Sequence, residues 1–163
     1  MQPDHDVRID TFRAGGRHAF DTLNRSWLTA YGLLEAPDER QLADPLGEIV
    51  SPGGQIFVAR HKGEVIGTCA VLPHDEGVLE LVKLSVAPGA RGAGLGRRLV
   101  EACLAYARGR GARRLVLLSS SKLGAALRLY EGLGFRRASM PPDAGYVTAD
   151  VYMELDLSGQ PAA

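Results

Sequence analysis

The stretch VAPGARGAGLGRRLVEACL, from Val86 to Leu104, decides how this chain is read: four glycines and three arginines stand where one structural period gives way to another. Before it, VLELVKLSVAP (78–88) is apolar on both faces apart from Glu80, Lys83 and Ser85, the pattern of a buried central strand. After it, Leu95, Leu99, Ala102, Cys103 and Tyr106 follow the 3.6-residue repeat, with Arg97, Arg98, Glu101 and Arg108 turned away. That spacing predicts a helix of about four turns, ending at Gly109 or Gly111.

Outward from this junction the elements alternate. HDVRIDTF (5–12) reads as a first strand, and the segment 19–34 places Phe20, Leu23, Trp27 and Leu28 near helical spacing. APDERQLADP continues as a short helix or turn stopped by Pro45. QIFVAR (55–60) and EVIGTCAVLP (64–73) are strands punctuated by Gly63 and Gly77. Downstream, RRLVLLSSS is another buried strand and KLGAALRLYEGLGF a helix closed by Gly132 or Gly134; FRRASM and YVTADVYMELDL are the last two strands. The order predicts an α/β (α+β) domain with one mixed, twisted sheet and helices on its faces. With 163 residues the chain reads as a single domain, its core about 5–157 and its ends, MQPDH and SGQPAA, loose.

Charge is balanced overall and uneven locally. Between Lys83 and Arg137 twelve basic residues face two acidic ones, while the rest of the chain holds seven basic and seventeen acidic. A basic middle suggests a polyanionic partner, although solvated helix faces account equally for Arg108, Arg110, Arg113 and Arg114. No aromatic residues interleave with these arginines and no helix-turn-helix or zinc pattern occurs, so nucleic acid is not expected. No run approaches the roughly 18 apolar residues of a membrane span, and no signal peptide is read, so a cytoplasmic protein is the expectation. Cys69 and Cys103 lie in apolar surroundings without CxxC spacing; they read as buried free thiols, and no metal is expected.

A glycine-rich turn entering a helix exposes backbone N–H groups to an anion, and the helix dipole adds partial positive charge. Gly92, Gly94 and Gly96 give access, and Arg91, Arg97 and Arg98 can add charge-assisted contacts. A structural turn explains such glycines about as well. A Walker loop would end in Gly-Lys-Ser/Thr, and a dinucleotide fold would open the chain with this element and carry an acid further on; neither pattern fits.

The residues R91-G-A-G94-L-G96 resemble the Q/R-x-x-G-x-G/A signature of the GNAT superfamily of acyl-CoA-dependent N-acyltransferases, and LYEGLGF (129–135) resembles that family's closing helix and turn. The resemblance covers nearly the whole chain. It implies a largely antiparallel sheet of six to seven strands with about four helices, in which strands 78–87 and 113–120 splay apart to admit the pantetheine arm of acetyl-CoA. It further implies that the pantetheine pairs with backbone around Leu84, Ser85 and Val86. The phosphates would then meet Arg91, Gly92, Ala93, Gly94, Leu95, Gly96 and Arg97, with Ser120 and Leu127 completing the coenzyme site. Many relatives carry an asparagine where this chain has Ser119, Ser120 and Ser121; a serine hydroxyl donates one bond where an amide donates two.

Direct acyl transfer needs a base to free the amine and an acid for the leaving thiolate. Backbone N–H near Val86 could stabilise the tetrahedral oxyanion. Glu80, eleven residues before Arg91, stands where several GNAT enzymes carry a glutamate base. By strand alternation it shares a face with Val82, Leu84 and Val86, where a carboxylate needs a reason, unless it is solvated or paired with an arginine. Tyr130 matches the tyrosine that the family commonly places near the coenzyme sulfur as general acid; as a core aromatic it would pack with Leu127 and Phe135. Lys83 and Lys122 read as solvated cations.

The acceptor site is expected from the first two helices, the loop before the second strand and the 140–146 loop, with Trp27, Tyr31 and Tyr146 as wall residues. Thirteen acids against seven bases in 1–82 suit a cationic amine, either a small molecule or a peptide. An N-acetyltransferase is thus one reading, and an acyl-CoA sensor or interaction module of the same fold, without turnover, the other. A homodimer is left open.

Overall fold

A computed structural model describes residues 6–159. Residues 1–5 and 160–163, which include most of the ends read as loose, lie outside the described residues. Seven strands are present: β1 (Val7–Thr11), β2 (Gln55–His61), β3 (Glu64–Asp75), β4 (Val78–Val86), β5 (Arg114–Ser119), β6 (Arg136–Ala138) and β7 (Val151–Asp156). Four α-helices accompany them: α1 (Arg17–Ala30), α2 (Ala36–Ala43), α3 (Leu95–Gly109) and α4 (Gly124–Gly132). The strands form one sheet in the order β1-β2-β3-β4-β5-β7-β6, antiparallel throughout except between β4 and β5. No described helix is long and apolar enough to cross a membrane.

The two faces of the sheet are covered by different helices. Leu95, Leu99, Cys103 and Ala107 of α3 and Leu127 and Tyr130 of α4 join Cys69, Leu79, Leu81, Leu115 and Leu117 in the larger core. Phe20 and Leu28 of α1 and Leu42 of α2 join Ile56, Val58 and Ala70 in a second core. Both cysteines are buried free thiols. Alternation separates the two sets along β2, where Ile56 and Val58 meet α1 and α2 and Phe57 and Ala59 meet α3.

The parallel pair at the centre is short. β4 and β5 are joined only through Val78↔Arg114, Leu79↔Leu115 and Glu80↔Val116. Beyond Glu80 the two strands diverge, β4 running on to Val86 and β5 to Ser119, and the space between them is a cavity.

Strand β4 is not a regular strand, and this overturns one sequence expectation. Thr68 pairs with Ser85 while Ala70 pairs with Val82, so Lys83 and Leu84 together stand opposite Cys69 in a bulge, with Lys83 at φ +58°. The extra residue reverses the alternation. Val82 packs on the α1/α2 side, whereas Leu84 and Val86 pack on the α3 side. Glu80 and Val82 therefore precede the reversal, and Leu84 and Val86 do not share their face.

The last strand also starts later than its sequence suggests, at Val151 and not at Tyr146. Glu35 draws the intervening segment toward α2 by accepting hydrogen bonds from the Val147 and Thr148 N–H groups, at 2.9 and 2.8 Å. Helix α1 stops at Ala30 and not near 34, because Gly32 turns the chain at φ +68°.

Candidate active site

The cavity in the β4–β5 gap has a volume of about 520 Å³ and runs from the glycine loop to α1 and α2. Its size suits a small-molecule or cofactor site.

At one end the chain leaves β4 through a short turn, Pro88–Ala90, and enters α3 with Gly92 at φ +86° and Gly94, the N-cap, at φ +77°. A Cβ on either glycine would touch nothing within 4 Å, so left-handed backbone, not crowding, is what requires glycine there. Gly96 is different, since a Cβ there would come 3.3 Å from Leu129 Cδ2, where α3 meets α4. The first intrahelical bond runs from Arg98 N–H to Gly94 O, leaving the Leu95, Gly96 and Arg97 N–H groups without a helical partner. Arg91, Gly92, Gly94, Leu95, Gly96 and Arg97 all line the cavity. Arg91 Nε donates to Val86 O at 3.1 Å, which fixes its stem across the loop.

Three residues of the expected coenzyme site lie outside the cavity lining. Arg98 donates to Val7 O at 3.0 Å and ties α3 to β1. The Ala93 side chain packs on the larger core, and Leu127 is buried within it, outside the cavity lining. Leu127 points inward because it shares the α4 face of Tyr130 at i+3.

Along the cavity, Leu84, Ser85 and Val86 present the β4 edge that faces the gap. The Ser85 hydroxyl is turned to α1, where it donates to Leu23 O at 3.1 Å, so what Ser85 offers the cavity is backbone. Across the gap Ser120 is buried and lines the cavity, its Oγ accepting from Lys122 N–H at 3.1 Å with the hydroxyl proton left to donate. Tyr130 lines the cavity and also stacks in the core, its ring 5.8 Å from that of Phe135, so the two readings of this residue describe one position. Burial, with lesser contributions from Cys69 and Cys103, pushes its phenol well above the ordinary tyrosine value.

Glu80 stands midway, its side chain 14% exposed and lining the cavity. Burial raises its pKa, opposed by the charges of His74 and Lys83 and reinforced by Asp38. His74 Nδ1 lies 3.6 Å from Glu80 Oε1.

Lys83, far from solvated, is buried and pairs with buried Asp38, Nζ to Oδ1 at 2.5 Å. Burial pushes the ammonium pKa down, and Asp38 works against that. Tyr146 Oη also donates to Asp38 Oδ1, at 3.3 Å. Lys122, exposed, donates to Tyr31 O at 3.0 Å.

At the far end Trp27, Tyr31 and Tyr146 all line the cavity, with Leu33 and Thr148 beside them. The loop before β2 contributes no lining residue among those described, whereas Tyr146, Thr148 and Ala149 do. Trp27 Nε1 donates to Asn24 Oδ1 at 3.1 Å, Asn24 Nδ2 donates to Thr68 Oγ1 at 3.0 Å, and Thr68 Oγ1 donates to Lys83 O at 2.8 Å. This buried chain of bonds fastens the aromatic wall to the β4 bulge.

Asp38, Asn24, His74 and Glu35 are absent from the sequence reading. The signal for Asp38 was available in its spacing: three residues after Glu35 at a helix start, it accepts the Glu35 N–H at 3.0 Å as a capping residue does. Nothing local marks Asn24 or His74. Among the described residues no group of three or more His, Cys, Asp or Glu could hold a metal ion.

A model of the acetyltransferase (GNAT) family matches residues 18–135. An uncharacterized N-acetyltransferase of Schizosaccharomyces pombe is 32% identical over 144 residues, 85% of this chain and 87% of that protein. N-acetyltransferase family 8 member 2 of Rattus norvegicus is 31% identical over 116 residues, 68% of this chain; the chain spans about half, 51%, of that relative's length. Among solved structures, a putative acetyltransferase from Salmonella typhimurium, described with its cofactor acetyl-CoA, superposes with a TM-score of 0.75 at 22% identity over 96% of this chain and 97% of that one.

Proposed function

The chain belongs to the GNAT acetyltransferase family, and from that premise we propose that it transfers an acetyl group from acetyl-CoA directly to a primary amine of a small molecule or peptide. The observation that carries the reading is the divergence of β4 from β5 after Glu80, which opens a cavity running from the anion-suited loop at 91–97 to Glu80 and the aromatic wall.

In this reading the free N–H groups at the start of α3, with Arg91 and Arg97, hold the coenzyme phosphates. The unpaired β4 edge at Leu84, Ser85 and Val86 receives the pantetheine amides as an added strand would be received. The thioester then lies between Glu80 and Tyr130. Glu80, ionised, takes a proton from the acceptor ammonium, and the neutral amine attacks the thioester carbonyl. The tetrahedral intermediate collapses with Tyr130 giving its proton to the departing sulfur, and the second proton of the nitrogen passes to Tyr130 and restores the phenol, leaving a neutral amide. Tyr130 is suited to this because its raised pKa keeps it protonated at neutral pH.

The acceptor enters beside Trp27, Tyr31 and Tyr146. With Lys83 neutralised by Asp38, Glu80 leaves a net negative end, which favours a cationic amine carried on an apolar or aromatic body.

The test is thermal shift with acetyl-CoA, followed by thiol release against a panel of spermidine, tyramine, histamine, free amino acids and short peptides. Stabilisation by acetyl-CoA and thiol release with at least one amine are expected. Stabilisation without thiol release from any of them would make the domain an acyl-CoA-binding module. In Arg91→Glu the acetyl-CoA shift should vanish, and an unchanged shift would remove the loop from the coenzyme site.

A further inference from the structure

Acetylation of an ammonium releases one proton overall. Two leave the nitrogen, one ends on the coenzyme sulfur, and the other must reach solvent. Glu80 stands midway along a cavity that bound acetyl-CoA and acceptor would fill, so the open side of the cavity is a poor exit for it.

The structure offers another. Strand β3 carries a bulge next to Glu80: Pro73 pairs with Leu79 and Asp75 with Val78, leaving His74 as the extra residue. The bulge turns the His74 ring onto Glu80, with Nδ1 3.6 Å from Oε1. His74 is not among the residues lining the cavity, and its side chain is 38% exposed where Glu80 is 14% exposed. Its second nitrogen, Nε2, lies 3.9 Å from the exposed carboxylate of Asp75. One edge of the imidazole thus faces the buried carboxylate while the ring itself reaches solvent outside the substrate space.

We propose that His74 is the proton outlet of this active site, taking from Glu80 the proton that Glu80 takes from the acceptor. The inference rests on Glu80 being the base. The Glu80 carboxyl gives its proton to His74 Nδ1, the transient imidazolium gives the Nε2 proton to water beside Asp75, and Glu80 is returned to its ionised form with both substrates still in place. An imidazole suits this step because its pKa lies near neutrality and its two nitrogens open in different directions. Other groups face Glu80. Lys83 on β4, Asp38 on α2, Tyr146 in the 146–149 segment and Tyr152 on β7 all interact with its charge. Lys83 and Asp38 are committed to each other and buried, and Tyr152 donates to Glu154 at 2.9 Å. His74 is the one that combines proximity, two ring nitrogens facing different ways and an opening to solvent.

The experiment compares His74→Ala, His74→Gln and Glu80→Gln with the parent protein, using thiol release from acetyl-CoA with whichever amine of the panel turns over fastest. His74→Ala should lower kcat about tenfold with KM for acetyl-CoA unchanged, and added imidazole should restore most of it. His74→Gln, which keeps the volume and loses the titrating nitrogen, should be as slow and resist rescue. In parallel, the Glu80 carboxyl carbon is followed by NMR against pH. Removing the imidazolium charge should move its midpoint upward, and this arm requires no acceptor. Parent-like kcat in His74→Ala with an unmoved Glu80 midpoint overturns the outlet. Full activity in Glu80→Gln would instead overturn the base assignment itself, so the two failures are told apart.

Discussion

Lys83 Nζ lies 2.5 Å from Asp38 Oδ1, and both side chains are almost wholly buried at the α1/α2 end of the cavity. Ions desolvated together are stable only together, since removal of one leaves the other charged and unpaired. Asp38→Ala is expected to cost about 3–5 kcal/mol in urea unfolding. It also removes the carboxylate that accepts the Glu35 N–H and the Tyr146 hydroxyl. Lys83→Met combined with Asp38→Asn should recover most of that loss; a double variant as unstable as Asp38→Ala alone would show that the pair is not the source.

Glu80 carries a stability cost of the opposite kind. Its pKa is raised in the fold by burial, so the native state binds its proton more tightly than the unfolded chain does. The cost is therefore greatest above the folded pKa and disappears as pH falls below the unfolded value of about 4.3. Glu80→Gln should raise Tm by about 2 °C at pH 7.5, with the gain vanishing near pH 4, while turnover falls. Equal gains at both pH values would mean that ionisation is not involved.

Tyr130→Phe keeps the ring in its contact with Phe135 and deletes only the hydroxyl. Turnover should fall about 100-fold with acetyl-CoA binding and Tm nearly unchanged. Because burial holds the phenol protonated, Tyr130 should contribute no basic limb to the pH profile below pH 10. Undiminished kcat in the variant would leave Tyr130 with its packing role alone.

Glu35 joins α2 to the segment that carries Tyr146, accepting from Val147 N–H and from the Thr148 N–H and hydroxyl. Burial resists its ionisation, but the Thr148 and Val147 hydrogen bonds outweigh that and lower its pKa. Glu35→Ala should raise KM for the acceptor roughly tenfold while KM for acetyl-CoA stays within twofold. An equal rise in both would place the effect on the whole cavity and not on its acceptor wall.

The order of elements and the glycine loop were legible in the sequence because both depend on local rules. Period, punctuation by glycine and the left-handed positions at Gly92 and Gly94 are properties of a few neighbouring residues. The α1/α2 end of the cavity was less legible. Lys83 reads as solvated until the bulge at Lys83 and Leu84 is known, and its partner Asp38 lies 45 residues earlier. His74 meets Glu80 through the pairing of β3 with β4, where it is the extra residue of a second bulge. Strand alternation, applied without the insertion in β4, put Leu84 and Val86 on the face of Glu80. The 146–150 segment, alternating like a strand, was claimed instead by a carboxylate more than 100 residues upstream.

The three residue pairs that join β4 to β5 are a short seam for a seven-stranded sheet. From Val82 to Val86 the chain holds a strand edge in its interior, of the kind that invites another extended peptide to add on. An occupant that pairs with this edge would withdraw it from such encounters. Self-association of the protein should accordingly slow when coenzyme A is present, even without an acetyl group and without turnover, so that the donor acts as a guard against aggregation as well as a reactant.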